Sequence, residues 1–177
     1  SWIRQESGTT SWLRSVSASS PPTVTAVGIG GIILRSTDGG TTWFTQTSGT
    51  TDHLYGVSFV SAGFGTAVGI GGVILHTTDG GTTWAPQTSG TTNHLNSVSF
   101  IDAEIGSAVG SDGTILRTTD GGSNWSSQVS GTSSHLMGVS LYATNKGIAV
   151  GVSGVIRYTT DGGSTWNNAS SGTTDHL

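Results

Sequence analysis

Ser36-Thr37-Asp38-Gly39-Gly40-Thr41-Thr42-Trp43 decides the fold, because the same phrase returns three times. It reads Thr77-Thr78-Asp79-Gly80-Gly81-Thr82-Thr83-Trp84, then Thr118-Thr119-Asp120-Gly121-Gly122-Ser123-Asn124-Trp125. The fourth copy is Thr159-Thr160-Asp161-Gly162-Gly163-Ser164-Thr165-Trp166. The positions of successive tryptophans differ by the same interval each time, without a gap. A fixed period of about 40 residues means stacked supersecondary units.

Within one unit the pattern predicts four short strands, over residues 54–60, 65–69, 73–78 and 83–88. The first alternates, with Val57 and Phe59 on one face and Gly56 and Ser58 on the other. Glycine clusters and Ser/Thr turns separate the strands, as hairpin links require. No stretch sustains a helical period, so helix is not expected. Ile74 and Leu75 are adjacent and both apolar, the mark of a strand buried on two faces. Pro86 falls in the fourth strand, which suits an edge because proline lacks a ladder donor. Four strands per unit is the pattern of a β-propeller blade. The expected fold is therefore all-β, with four-stranded antiparallel blades. The units read as residues 13–53, 54–94, 95–135 and 136–177, the last with a C-terminal tail. Residues 1–12 read as an extra outer strand, over 2–7, and a loop.

Composition narrows the function classes. Only 9% of residues are charged, the net charge is −4, and Lys plus Arg number six. Phosphate backbones need clustered cations, so no nucleic-acid partner is expected. No apolar run is long enough to span a bilayer as a helix. Without cysteine there is no disulfide framework and no thiolate metal site. The compartment stays open, with an extracytoplasmic or secreted bacterial setting favoured.

The repeated phrase, Ser/Thr-x-Asp-x-Gly-x-Thr/Ser-Trp, resembles the Asp-box, or bacterial neuraminidase repeat. Its structural residues would be Asp38, Gly40 and Trp43, then Asp79, Gly81 and Trp84. Asp120, Gly122 and Trp125, and Asp161, Gly163 and Trp166, complete the set. The third box departs from the pattern at Asn124. The surrounding words look most like photosystem II assembly/stability factor-like repeat proteins. That resemblance implies a propeller that binds without catalysing. Photosynthetic members carry an arginine-rich patch, whereas this chain has only Arg4, Arg14, Arg35, Arg117 and Arg157.

The box aspartates can be read as calcium ligands, as catalytic acids or as turn builders. One carboxylate per turn is too few for a calcium cage, so the turn-building reading leads. Sialidases share the box, and by resemblance need an arginine triad, a Tyr/Glu pair and an Asp acid. The only glutamates here are Glu6 and Glu104. No enzyme activity, cofactor or metal is expected.

His53, His94, His135 and His176 recur at the spacing of the tryptophans, just before each first strand. They read as loop residues that hold a backbone carbonyl or pack on a Trp, rather than as a metal ring. Arg35, His76, Arg117 and Tyr158 share a position late in the third strand and are expected to bridge blades. Positions that vary between units are better binding candidates. Tyr55, Asn96, Met137 and Asp112, with His53, His94 and His135, make the candidate binding face. The leading expectation is a non-catalytic scaffold for a protein or glycan partner. The alternatives are a sialidase-like hydrolase fragment and a purely structural module of a larger surface protein. Four units read as half of an eight-blade ring, so a homodimer is expected; the alternatives are a four-blade ring closed by its own N-terminal strand and a fragment of a longer array.

Overall fold

A computed structural model describes residues 4–176. It contains sixteen strands in four antiparallel sheets of four, each ordered as in the chain. Blade 1 holds β1 (Leu13–Ser20), β2 (Thr23–Gly28), β3 (Ile33–Ser36) and β4 (Phe44–Gln46). Blade 2 holds β5 (Leu54–Phe59), β6 (Gly65–Gly69), β7 (Ile74–Thr77) and β8 (Ala85–Gln87). Blade 3 holds β9 (Leu95–Phe100), β10 (Gly106–Gly110), β11 (Ile115–Thr118) and β12 (Ser126–Gln128). Blade 4 holds β13 (Leu136–Ala143), β14 (Lys146–Gly151), β15 (Ile156–Thr159) and β16 (Asn167–Ala169). The array is the propeller architecture expected. Among the described residues no helix is long and apolar enough to cross a membrane.

The fourth strands are shorter than the pattern predicts, three residues each. Pro86 sits in β8 at the sheet edge, paired only with Leu75 of β7. One expectation is corrected. Part of the strand expected over residues 2–7 lies outside the described residues, and residues 4–7 are not strand. The place beside β3 and β15 that an outer strand would take is held by β4 and β16.

The core lies between blades. Each sheet has a rear face toward the preceding blade and a forward face toward the next. Val27 and Ile33, on the forward face of blade 1, pack with Leu54, Val57, Phe59, Ala67, Leu75 and Trp84 of blade 2. Val68 and Ile74 meet Leu95, Val98, Ala108 and Leu116 in the same way. Val109 and Ile115 meet Leu136, Ala149 and Trp166. A blade therefore gains its core only from its neighbours, and stability accumulates junction by junction.

Serine hydroxyls stitch the inner strands together. Val57 N–H donates to Ser15 Oγ at 3.3 Å and Phe59 N–H to Ser17 Oγ at 2.9 Å. Phe100 N–H donates to Ser58 at 3.1 Å. Val139 and Leu141 N–H donate to Ser97 and Ser99 at 3.3 and 3.0 Å. These bonds satisfy strand N–H groups that would otherwise be buried without an acceptor.

Candidate functional site

The two ends of the blades are built differently. The Asp-box hairpins close one end. β1 starts beside the end of β2, where Leu13 pairs with Gly28, so the interblade loops and the turns after β2 lie at the other end.

At the box end each aspartate is consumed by its own turn. Asp79 Oδ1 accepts from Thr77 Oγ1–H at 2.9 Å and from Thr83 N–H at 2.9 Å. Its Oδ2 accepts from Thr83 Oγ1–H at 2.7 Å. Thr77 Oγ1, buried, accepts from Gly81 N–H at 2.7 Å. Asp38 and Asp161 make the same set with Thr42 and Thr165. In the third box Asn124 takes the threonine's place, donating from its amide to Asp120 Oδ2 at 2.8 Å. The departure from the pattern thus keeps the bond.

These bonds hold the carboxylates ionised. The Thr42 hydroxyl, its N–H and the Ser36 hydroxyl lower Asp38 to about 2. The Thr83 N–H and hydroxyl lower Asp79 to about 2, and Thr165 does the same for Asp161. Asp120 is lowered chiefly by the Asn124 side chain. A carboxylate that receives several hydrogen bonds is held in its charged form.

The boxes are also braced across blades. Gln46 and Gln87 donate to Gly80 O and Gly121 O of the next box at 3.2 and 3.1 Å. Trp125 Nε1–H donates to Gln87 Oε1 at 3.2 Å. Trp84 and Trp125 meet Phe59 and Phe100 edge to face, with centroids 5.9 Å apart in both pairs. Of the four residues expected to bridge blades, Arg35 donates to Ala62 O at 2.7 Å and Arg117 to Thr144 O at 3.5 Å. His76 instead bonds Thr66 within its own blade at 3.0 Å. Tyr158 faces outward and is part exposed.

At the opposite end the histidines do something the sequence reading did not name. His53 Nδ1 accepts the N–H of Gly30 at 3.1 Å, and His94 Nδ1 that of Gly71 at 3.0 Å. His135 and His176 accept from Asp112 and Ser153 at 3.1 and 3.2 Å. Each ring thus holds the turn of the preceding blade by taking a backbone N–H, not by donating to a carbonyl. An accepting Nδ1 places the neutral ring's proton on Nε2. The turn residue is left-handed, and Asp112 (φ 55°) and Ser153 (φ 58°) occupy it where blades 1 and 2 have glycine. Among the described residues no three His, Asp or Glu side chains are placed to hold a metal.

The variable residues lie along this end in neighbouring pairs. The Arg14 guanidinium stands 5.7 Å from the Tyr55 ring centre, and His53 lies 6.4 Å from Tyr55. Asn96 donates across the blade junction to Leu136 O at 2.8 Å and lies 3.6 Å from Met137 Sδ. Asp112 Oδ1 is 3.8 Å from His135 Nδ1. The geometry joins Tyr55 to His53, Asn96 to Met137 and Asp112 to His135, while His94 is joined to Gly71. Arg14 and the bracing serines and glutamines were not anticipated as contacts. The recurrence of Ser17, Ser58, Ser99 and Ser140 at the repeat spacing was the available signal.

Comparison with known proteins agrees with this architecture. A solved structure of YCF48 bound to D1 peptide has 23% identity and a TM-score of 0.74, covering 92% of this chain and 54% of that one. The GH74 enzyme of Niastella koreensis has 16% identity and a TM-score of 0.71, covering 89% of this chain and 30% of the enzyme. An ancestral GH74 enzyme matches at 17% identity and a TM-score of 0.71, covering 88% and 24%. The chain thus spans about half the length of the YCF48 structure and less of the enzymes. These likenesses establish the shared fold. Among curated proteins no match is found. The family model of photosynthesis system II assembly factor YCF48 matches residues 43–130 and 89–174, most of the sequence. The chain belongs to that family of propellers built from bacterial neuraminidase repeats.

Proposed function

We propose that this chain is a non-catalytic scaffold that binds an extended segment of a partner protein at the end of the blades opposite the boxes. The observation that carries the reading is a contrast within one repeat. The turn after the second strand has the same form in all four blades, while the side chains at one row change from Arg14 to Tyr55, Asn96 and Met137. An invariant frame with varied decoration suits recognition. Tyr, Arg and Met are also the residue types enriched where proteins bind each other. Family membership supports a protein partner, since its relative YCF48 is found with a D1 peptide. The enzyme reading gains nothing from the boxes, whose four carboxylates each accept three hydrogen bonds within their own turns.

A peptide array probed with the purified chain tests the reading. D1-derived peptides serve as one arm and unrelated extended peptides as the other. The expected result is saturable binding that Tyr55→Ala with Asn96→Ala removes. Binding untouched by these substitutions, or turnover of a glycoside substrate, overturns it.

A further inference from the structure

The turn after the second strand carries a glycine in two blades and a side chain in the other two. Gly30 and Gly71 sit there at φ 73° and 65°. A Cβ at either place would meet nothing within 4 Å. Blades 3 and 4 have Asp112 at φ 55° and Ser153 at φ 58°, and no other non-glycine residue among those described has a positive φ. Residues with a side chain seldom occupy this left-handed region. The turn keeps its form either way. A side chain here therefore carries a backbone cost, and the open space around Gly30 and Gly71 offers it no packing in return.

The Asp112 carboxylate is also uncommitted. Each box carboxylate is held by its own turn, as described above. Asp102 Oδ1 accepts the N–H groups of Glu104 and Ile105 at 3.0 and 2.6 Å, and Glu6 pairs with Arg4 at 3.0 Å. Asp112 has no lysine or arginine partner among the described residues, and only His135 stands near, at 3.8 Å. The Nδ1 of that ring already accepts the Asp112 N–H at 3.1 Å. A neutral imidazole then turns a lone pair, not a proton, toward the carboxylate. The charge is left without a counterpart on a side chain that is 65% exposed.

Its surroundings belong to the varied row. His135, Leu136 and Met137 follow one another in the chain. Asp112 lies against the first of them, while Asn96 bonds Leu136 O and touches Met137. Met137 is itself exposed. The third junction thus gathers an amide, a thioether and a carboxylate around three consecutive residues.

We infer, on the reading that this end of the blades binds an extended segment, that the Asp112 carboxylate takes a lysine or arginine side chain of that segment and so sets its sequence preference. A costly backbone conformation that holds an unpaired charge toward solvent belongs to a functional position. An exposed contact between opposite charges adds selectivity more than affinity. With glycine at the same place in blades 1 and 2 and serine in blade 4, the cation is read at one junction only.

A charge scan tests the assignment. Each position of the best-binding array peptide is replaced in turn by lysine, glutamine and glutamate, and affinities are measured at about 0.05 M and 0.5 M salt. One position is expected to favour lysine over glutamate by about five-fold at low salt, with the preference fading at high salt. Asp112→Gly and Asp112→Ser install residues that other blades carry in this turn. Neither is expected to lower the melting temperature by more than about 3 °C. Both are expected to bring the lysine peptide down to the level of the glutamine one. A lysine preference that survives both substitutions, or is missing from the unsubstituted chain, overturns the assignment. A larger fall in melting temperature makes Asp112 a builder of the turn and overturns it as well. Peptides that bind through Tyr55 and Asn96 without a charge preference remove this inference and leave the binding reading standing, whereas no binding by any peptide removes both.

Discussion

The two ends of the blades use the same repeat differently. At the box end four copies of one turn make the same hydrogen bonds, down to Asn124 reproducing the contact of a threonine. At the opposite end the histidine contact is repeated just as faithfully, yet the neighbouring row reads Arg14, Tyr55, Asn96 and Met137. One end is repetition throughout, whereas the other is repetition beneath and variation above. The difference teaches that a repeat period marks what builds the blade, and the row proposed for recognition is the one that escapes it.

Acid is expected to strike the box end hardest, because it acts on all four turns at once. The box carboxyls are depressed in the folded chain, three of them to about 2. Unfolded aspartates titrate at about 3.9. A depressed carboxyl contributes stability above the unfolded value, and that contribution is lost as pH falls through the folded one. Thermal melts should therefore fall steadily from about pH 5 toward pH 2. A melting temperature that does not change below pH 4 would contradict the role given to these turns.

A single box comes next in size. Thr77→Val keeps the shape but leaves the buried Gly81 N–H without its acceptor. The expected loss is about 1–3 kcal/mol in denaturant unfolding, the usual cost of an unpaired buried group. Asp79→Ala should lower the melting temperature in the same direction, with peptide binding unchanged.

The histidine end should respond less. His94→Ala removes the acceptor for Gly71 N–H, but the contact is exposed and water can replace it. About 0.5–1.5 kcal/mol is expected, an ordinary hydrogen bond. Chelators should leave the melt unchanged, and a drop on adding one would point to a metal held by the histidines.

The smallest stability effect belongs to the varied row. Tyr55→Ala should stay within about 0.5 kcal/mol, as for surface substitutions away from caps and cores, and Asn96→Ala should add only the loss of its bond to Leu136 O. Their effect is expected in binding instead, measured on the same preparation. A large loss of stability would mean that this row builds the blade as the boxes do.

Much of this fold was legible in the sequence. The spacing of Trp43, Trp84, Trp125 and Trp166 placed the units, and β6 runs over the residues the pattern marked. The fourth strands were overestimated because their flanking threonines belong to the turns, as Thr83 shows in bonding Asp79. The direction of the histidine bond was not legible. A sequence places His94 in a loop, but only the fold brings Gly71, 23 residues earlier, against its Nδ1. The pairing of Asn96 with Met137 was hidden for the same reason, since it crosses from one blade to the next. The serine ladder was visible as a period but carries no label that distinguishes a bracing hydroxyl from a solvent-facing one.

Amide chemical shifts, followed while the chain is titrated with its best array peptide, test the division of labour between the two ends most directly. The account predicts shifts concentrated at Tyr55, Asn96, Met137 and the turns around Gly71 and Asp112, with the four box loops still. Shifts centred on Asp38, Asp79, Asp120 or Asp161 would contradict it.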